Sequence, residues 1–163
     1  MRSTLVVVGL SMALSACSWL GSEPPDPPEF SHQHDCGYGF YVGTEDQTAG
    51  LFVDFTDFEA AQAGAVPDVS QLSTGAWRAD LQFGSDLFAN WCDDVLEPDE
   101  PTPEIEEVWD LTGTIEINQL PPAGECGRAT GRLTDVVAHG PDDETLTLGD
   151  LDVTNEFWGC FAG

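Results

Sequence analysis

The chain has 163 residues, with 30 Asp and Glu against 4 Lys and Arg, and its formal charge at pH 7 is −26. This balance excludes nucleic acid as a partner and attraction to an anionic membrane surface, because both depend on Lys and Arg. Lysine is absent from the sequence. This excludes enzymes that need a lysine, such as Schiff-base enzymes and enzymes with a Walker-type phosphate loop.

The amino-terminal segment predicts export. Arg2 is followed by an apolar run from Leu5 to Leu14. As a helix this run would span about 15 Å, which is too short for a hydrocarbon core of about 30 Å. A run of this length behind a positive residue is typical of a signal peptide.

The residues that end this leader, Leu14-Ser15-Ala16-Cys17, resemble the lipobox of bacterial lipoproteins. The resemblance implies that residues 1–16 are the signal peptide, that cleavage falls between Ala16 and Cys17, and that the Cys17 thiol carries a diacylglyceryl group. Two or three acyl chains anchor a protein stably, at about 0.8 kcal/mol for each buried CH₂. The expected location is the bacterial cell envelope outside the cytoplasm, with the acyl chains in the lipid bilayer of the outer membrane or cell surface if the cell has two membranes. An ordinary secretory leader cleaved near the same place is the alternative.

Residues 17–30 are rich in proline and acidic residues. Proline favours extended polyproline II backbone, so we expect a semi-rigid stalk behind the lipidated Cys17. Residues 31–163 are sufficient for one domain with its own core, and we expect a single β domain there.

Apolar and polar residues alternate through most of this domain, for example at Ile115 and Ile117. A period of two indicates strands with one buried and one solvated face. The pattern predicts strands near residues 37–43, 49–56, 76–83, 86–91, 108–118, 128–138, 145–153 and 156–161. One short helix is expected at residues 57–64, where Asp57 can cap a run of good helix formers. About seven or eight short strands predict an all-β fold, first an antiparallel β-sandwich and second a barrel.

The alternation slips by one residue after Leu133 and again at Gly149. Such a slip predicts a β-bulge, since a one-residue shift moves side chains to the other face. Residues 139–144 are typical of a turn, so we expect a hairpin in which Ala138 faces Thr145.

Four cysteines remain besides Cys17, and an even number in an exported protein predicts two disulfides. The four are Cys36, Cys92, Cys126 and Cys160. Three pairings are open, but the expected hairpin register brings Cys126 close to Cys160. We therefore favour Cys126 with Cys160 and, by elimination, Cys36 with Cys92.

Three histidines are weak candidate metal ligands. His32 and His34 are two residues apart, which on a strand places both on one face, and His139 lies at the expected hairpin. Together they could ligate Zn²⁺ or Cu²⁺. The pair lies where stalk and domain meet, in a region expected to be solvated, so we predict no metal site and no cofactor.

Acidic residues are dense from Asp93 to Asp110. Low-affinity Ca²⁺ binding is an alternative there, but no Asp-x-Asp-x-Asp-Gly loop is present. Pro98, Pro101 and Pro103 interrupt the segment, so we expect a solvated loop without a regular element.

The sequence shows no catalytic motif of the Gly-x-Ser-x-Gly, His-Glu-x-x-His or glycine-rich phosphate-loop type. We therefore expect no enzyme and assign no catalytic residue. The expected function is a surface or periplasmic binding or structural module with an unknown protein or glycan partner. The alternatives are a glycan-binding domain that uses exposed Trp and a small hydrolase that uses two carboxylates.

Intact mass under non-reducing conditions tests the lipid and the disulfides together. We expect the mass of residues 17–163 plus acyl groups, and an increase of about 4 Da on reduction, one hydrogen for each paired sulfur. Cys17→Ser should abolish the acyl mass and membrane retention but keep the shift on reduction. An unacylated wild-type chain would contradict the lipobox prediction.

Overall fold

The computed structural model describes residues 26–93 and 100–160. They form antiparallel strands and one short α-helix, which confirms the predicted all-β fold. The elements are β1 (His32–His34), β2 (Gly39–Gly43), β3 (Ala49–Phe55), α1 (Phe58–Gln62), β4 (Val69–Gln71), β5 (Trp77–Ser85), β6 (Glu104–Gln119), β7 (Gly127–His139) and β8 (Thr145–Trp158). No helix in this described part has the length and apolar character that crossing a membrane requires.

The strands belong to one sheet in the order β1-β2-β3-β5-β6-β7-β8, with β4 paired to β6 outside this path. β8 returns to contact β2 and β1 at the other end of the order. The sheet therefore curls nearly into a barrel, the second of the two architectures that the sequence suggested. Its inward face is the core and its outer face is largely solvated.

Side chains close the seam between β8 and the first strands. Asn155 on β8 is completely buried, and its Nδ2 donates to the carbonyls of Gly39 at 2.8 Å and Cys36 at 3.0 Å. Nearer the surface, Gln33 Oε1 accepts from the backbone N–H of Thr154 at 3.0 Å. These bonds satisfy backbone groups that a regular ladder would otherwise pair.

The core follows from the alternation along each strand. On β3, Leu51 and Val53 point inward and are completely buried, whereas Asp54 lies on the outer face. Three of the tryptophans belong to this core, namely Trp77, Trp109 and Trp158. Burial of large side chains of this kind stabilises the fold by about 1.5–3 kcal/mol each.

The short helix begins as predicted, because the Asp57 side chain accepts a hydrogen bond from Ala60 N at 3.0 Å. The helix ends at Gln62, and Gly64 then takes a φ of 66°, which glycine adopts at no steric cost. Ala61 is its buried residue.

Most of the predicted strands occur. Those at residues 37–43, 49–56, 76–83, 108–118 and 128–138 correspond to β2, β3, β5, β6 and β7, and the last two predicted strands form the single strand β8. The prediction of a strand at 86–91 is wrong. Positive φ at Asp86 and Asn90 makes this segment a series of turns, and it packs on the outer face through Leu87 and Phe88. The three-residue strands β1 and β4 were not predicted.

The expected hairpin register is wrong by one residue. His139 rather than Ala138 faces Thr145, and Ala138 faces Leu146. Opposite residues share a face of the sheet, and Ala138 and Leu146 are both buried while Thr145 is exposed. Only the observed register places both buried side chains in the core.

The predicted bulges are confirmed. The pairing of β7 with β8 shifts register between Leu133 and Val136 and again where Val136 faces Gly149. Asp135 and Gly149 both have positive φ at these shifts. Bulges increase the twist of a strand pair, which helps this sheet to curl.

Both predicted disulfides are present. Cys36 is bonded to Cys92 and Cys126 to Cys160, with Cα–Cα distances of 5.8 and 5.0 Å. The first fixes the turn segment after β5 to the chain between β1 and β2. The second joins the residues that precede β7 and follow β8.

The residue before the predicted start of the domain also contacts it, because Phe30 packs against the core. Ser31, the first residue of the predicted domain, donates its N–H to Gly43 O at 3.0 Å. The earlier part of the predicted stalk, the lipobox and Cys17 lie outside the described residues.

Replacing Asn155 with Ala should strongly destabilise the barrel. The change removes the bonds to Gly39 and Cys36 and also the acceptor for Phe157 N at 2.8 Å. Since a buried polar group left unsatisfied costs about 1–3 kcal/mol, we expect the free energy of unfolding to fall by about 3–5 kcal/mol. Gln33→Ala, which removes an exposed seam residue, should cost below about 1 kcal/mol. Urea denaturation with the disulfides intact measures both, and equal losses would contradict the role of Asn155.

Candidate functional site

One end of the barrel carries the candidate site. The turn between β2 and β3, the last residues of β5, the first part of β6 and the start of β8 meet there. Residues 26–31, which precede β1, lie across this end. We call the two adjoining cavities at this end the mouth cavities.

The larger mouth cavity has a volume of about 590 Å³. Its acidic wall is formed by Glu29 before β1 and by Glu45 and Asp46 in the turn after β2. Pro28 and Phe83 form part of its apolar wall. A volume of this size lies within the range of about 300–1,000 Å³ that is typical of ligand sites.

The smaller mouth cavity has a volume of about 220 Å³ and shares Pro28 and Phe83 with the larger one. Its remaining walls are the carboxylates of Asp26 and Glu107 and the side chains of Trp109 and Leu146. The shared residues place the two cavities side by side. Both combine an apolar surface with acidic groups.

Asp46 is held in its charged form. Its Oδ1 accepts from the hydroxyls of Thr44 at 2.7 Å and Thr48 at 2.8 Å and from Thr48 N at 3.2 Å. These bonds, led by that of the Thr44 hydroxyl, lower the pKa of Asp46 below its usual value. The turn thus presents a negative charge at the larger cavity.

Among residues 26–93 and 100–160, no basic residue lines either mouth cavity. The arginines of the described residues form ion pairs with other carboxylates, namely Arg78–Asp80, Arg128–Glu156, Arg132–Asp150 and Arg132–Asp152. The mouth carboxylates therefore create an uncompensated negative potential, which attracts cations.

Trp109 contributes an unsatisfied donor. The side chain is 5% exposed, yet its Nε1–H has no hydrogen-bond partner. Phe83 packs edge-on against the indole at a centroid distance of 5.6 Å, and the backbone at Gly140 lies directly over the ring. An unpaired buried donor of this kind costs free energy unless a ligand or water accepts from it.

A second polar arrangement lies on the outer face of β2, β3 and β5. The Tyr41 hydroxyl donates a short hydrogen bond to Asp54 Oδ1. Burial, followed by the Asp54 carboxylate, raises the pKa of Tyr41, so that its hydroxyl remains a donor. Asp80 is 4% exposed, accepts from Gln82 Nε2 at 2.6 Å and pairs with Arg78 at 3.4 Å.

Asp54 differs from an ordinary exposed carboxylate. Burial, followed by repulsion from Asp80, raises its pKa above the usual value, whereas the Tyr41 hydrogen bond and Arg78 lower it. Asp80 also faces Asp110 across the ladder between β5 and β6. Close like charges of this kind are destabilising, and here Gln82 and Arg78 offset part of the repulsion.

The candidate metal ligands have separate surroundings. His34 stacks on Phe88 at a centroid distance of 3.7 Å, and burial together with the charge of His32 lowers its pKa. His32 Nδ1 contacts the Ser31 hydroxyl at 3.0 Å, and His139 Nε2 contacts the Thr112 hydroxyl at 2.9 Å. Within residues 26–93 and 100–160, no three His, Cys, Asp or Glu side chains form a group that could hold a metal ion.

The expectation for the acidic stretch from Asp93 to Asp110 is partly wrong. Residues 94–99 lie outside the description, but β6 begins at Glu104 and includes Glu107. Because proline no longer interrupts the chain after Pro103, these residues pair with β5 as a regular ladder. Glu107 thereby reaches the smaller mouth cavity.

The aromatic residues are mostly covered. Trp77, Trp109 and Trp158 are in the core, and Trp91 packs with Tyr41, Phe52 and Phe88 in a smaller outer cluster. Sequence reasoning did not find the mouth cavities, because their walls come from five separate parts of the chain. The repeated Thr and Asp in residues 44–48 do signal a turn with side-chain hydrogen bonds.

No protein-family model, curated protein or solved structure matches this chain.

Asp54→Asn should stabilise the protein at neutral pH. The raised pKa of Asp54 means that its carboxyl group contributes stability below the unfolded pKa of 3.8, and that this stability is lost as the pH rises through the folded pKa. Asn removes the buried charge but can still accept from Tyr41. We expect a melting temperature higher by about 2–4 °C at pH 7, or about 1 kcal/mol, with the difference shrinking towards pH 4.

Asp68→Asn is the control, because Asp68 is exposed. It should change the melting temperature little at either pH. A less stable Asp54→Asn variant at pH 7 would show that the ionised carboxylate stabilises the fold.

Proposed function

We propose that this chain is a lipid-anchored extracytoplasmic binding module that takes a cationic ligand in its mouth cavities. The proposal has two parts. The anchor rests on the lipobox-like Leu14-Ser15-Ala16-Cys17 sequence, and the ligand class rests on the charge and shape of the mouth.

The two disulfides support a location outside the cytoplasm. Stable cross-links such as Cys36 with Cys92 and Cys126 with Cys160 form in oxidising compartments and are rare in the cytosol. They also fit a small exported domain, since cross-links restrict its unfolded chain.

The observation that carries the binding proposal is the composition of the mouth. Two adjoining cavities are lined by apolar side chains and by carboxylates, and no basic residue in the described part of the chain lines them. The turn hydrogen bonds lower the pKa of Asp46 and so favour its charged form at the larger cavity. An organic cation would pair with these groups while covering the apolar surface.

The other functions have less support. A glycan-binding surface needs exposed Trp, whereas Trp77, Trp109 and Trp158 are buried. A carboxylate hydrolase would use Asp80 and Asp110 at a cavity of about 260 Å³. There Asp80 is already held by Gln82 and Arg78, which favours a structural role.

Calorimetric titration of the full chain in non-ionic detergent with spermine tests the cationic site. We expect saturable binding that weakens with salt. The triple variant Glu29→Gln, Glu45→Gln, Glu107→Gln should weaken it at least about 10-fold, since each partly exposed pair contributes about 0.5 kcal/mol or more.

The matched control removes three charges at the other end of the barrel. It carries Glu59→Gln, Asp68→Asn and Glu125→Gln, all exposed positions near α1 and the loop after β6. This variant should bind spermine within about 2-fold of wild type, because salt screens the effect of distant charges on the mouth. Equal weakening by both triple variants would indicate general charge attraction and overturn the site.

A further inference from the structure

We propose that residues 86–93, which we call the clip, are an acid-released cover on the outer face of the barrel, and that protonation of His34 at mildly acidic pH breaks its stack on Phe88 and uncovers β2 and β3. This inference goes beyond the proposed function and does not depend on it, since no residue of the clip lines a mouth cavity.

The clip is held to the barrel mainly by side chains. Three of its N–H groups bond to carbonyls within the clip, whereas Leu87 N donates to Gln47 O at 3.2 Å. Phe88 and Trp91 pack against Phe52 of β3 at centroid distances of 5.0 and 5.5 Å. A segment whose main-chain bonds are largely internal opens at a lower free energy than a strand inside a sheet.

Phe88 lies in a slot whose floor is bare main chain. Gly43 and Gly50 face each other across β2 and β3, and a Cβ at Gly43 would lie 2.6 Å from Phe88 Cε2. The His34 ring stacks on the phenyl ring at a centroid distance of 3.7 Å and an interplanar angle of 2°, and Phe52 stacks on it at 5.0 Å. His34 is therefore a wall of the slot that holds the clip.

The position of His34 Nε2 makes this contact sensitive to protonation. The atom is buried next to Gly43 and has no hydrogen-bond partner. One ring nitrogen of a neutral imidazole carries no hydrogen, but both nitrogens are donors in the charged form. Protonation would place a donor without an acceptor and a positive charge against the Phe88 ring, which burial disfavours. Attraction between the cation and the ring offsets only part of this cost.

The charges that act on His34 favour its neutral form on balance. Burial, followed by the charge of His32, lowers the pKa of His34, whereas Asp35 raises it. Asp35 is itself engaged at the seam, where its Oδ1 accepts from Glu156 N at 2.7 Å. The neutral ring therefore contributes stability above the ordinary pKa of 6.5, and this stability is lost as the pH falls through the lower folded pKa.

The other titratable groups around the slot belong to β2, β3 and the clip. Tyr41, which faces His34 on β2, donates to Asp54 on β3. Asp86 and Asp93 are exposed at the two ends of the clip. The raised pKa of Asp54 means that acid stabilises the fold at this carboxyl group, so its titration opposes release and cannot imitate it.

Release would uncover an apolar surface without detaching the clip. Tyr41 and Phe52 are each 6% exposed while the clip is in place. The Cys36–Cys92 disulfide joins the end of the clip to the chain two residues after His34, so opening is local and reversible. The outer face of β2 and β3 would thus be covered at neutral pH and available to a partner at acidic pH.

Hydrogen exchange of the full chain in non-ionic detergent at pH 7 and pH 5, corrected for the intrinsic exchange rate, tests the clip. We expect the protection of residues 86–93 to fall at least about 5-fold at pH 5, because the open form binds a proton that the closed form disfavours. Protection of β7 should change by less than about 2-fold. An equal loss of protection in β7 would indicate global acid unfolding and overturn the inference.

Two variants and a matched control assign the effect. His34→Phe keeps a ring against Phe88 but cannot be protonated, so clip protection should agree within about 2-fold at the two pH values. Gly43→Ala should lower clip protection at both pH values, since its methyl group would collide with Phe88. His139→Gln is the control, because His139 is exposed and contacts the Thr112 hydroxyl, and it should keep the acid effect.

Each contrary outcome overturns a particular step. Equal clip protection of wild type at both pH values would mean that acid does not release the clip. Greater protection at pH 5 would show that attraction between the cation and the Phe88 ring outweighs burial. An acid effect that persists in His34→Phe would assign release to another group, and unchanged protection in Gly43→Ala would show that the slot does not hold the clip.

Discussion

The fold depends on the seam between the last strand and the start of the sheet, which a buried amide bridges. Asn155 joins the last strand to the chain at the start of the sheet through carbonyls that no regular ladder pairs. The same two parts of the chain are also joined by the backbone bond from Gly159 N to Gly37 O and by the bond from Thr154 N to Gln33 Oε1. Phe40 on β2 and Trp158 on β8 belong to strands near opposite ends of the sheet. Because the sheet closes, their rings pack at a centroid distance of 5.4 Å. A polar contact at the seam thus determines how the apolar core is assembled.

The mouth follows from the register of the sheet. Ala49 on β3 faces Phe83 on β5, and Phe83 faces Glu107 on β6, so neighbouring strands place all three at the same end of the barrel. Acidic residues accumulate there, and none of the arginines that the structure describes lines the cavities. In a chain with a formal charge of −26, such an arrangement is stable only where the groups remain near solvent, as exposed Glu29 and Glu45 do.

The sequence predicted what depends on local periodicity and chemistry. Alternation located most strands, the phase slip at Gly149 located a bulge, and the approximate register was sufficient to choose the Cys126–Cys160 pair. Features that depend on tertiary contacts were not predicted. Phe88 belongs to a turn segment because it packs over Gly43 and Gly50 on the outer face, a contact that no local pattern reveals. The mouth cavities depend in the same way on tertiary contacts, because their walls come from separate parts of the chain.

The position of residues 26–30 at the mouth limits how far from the bilayer a ligand can bind. Asp26 lies nine positions after Cys17, and a fully extended chain covers at most about 3.6 Å per residue. An acylated Cys17 would therefore hold Asp26 within about 32 Å of the bilayer. A partner in the same membrane would then search a thin layer rather than a volume, which raises its effective concentration at the mouth. With a linker this short, a mouth of low intrinsic affinity would still be occupied by a partner in the same membrane.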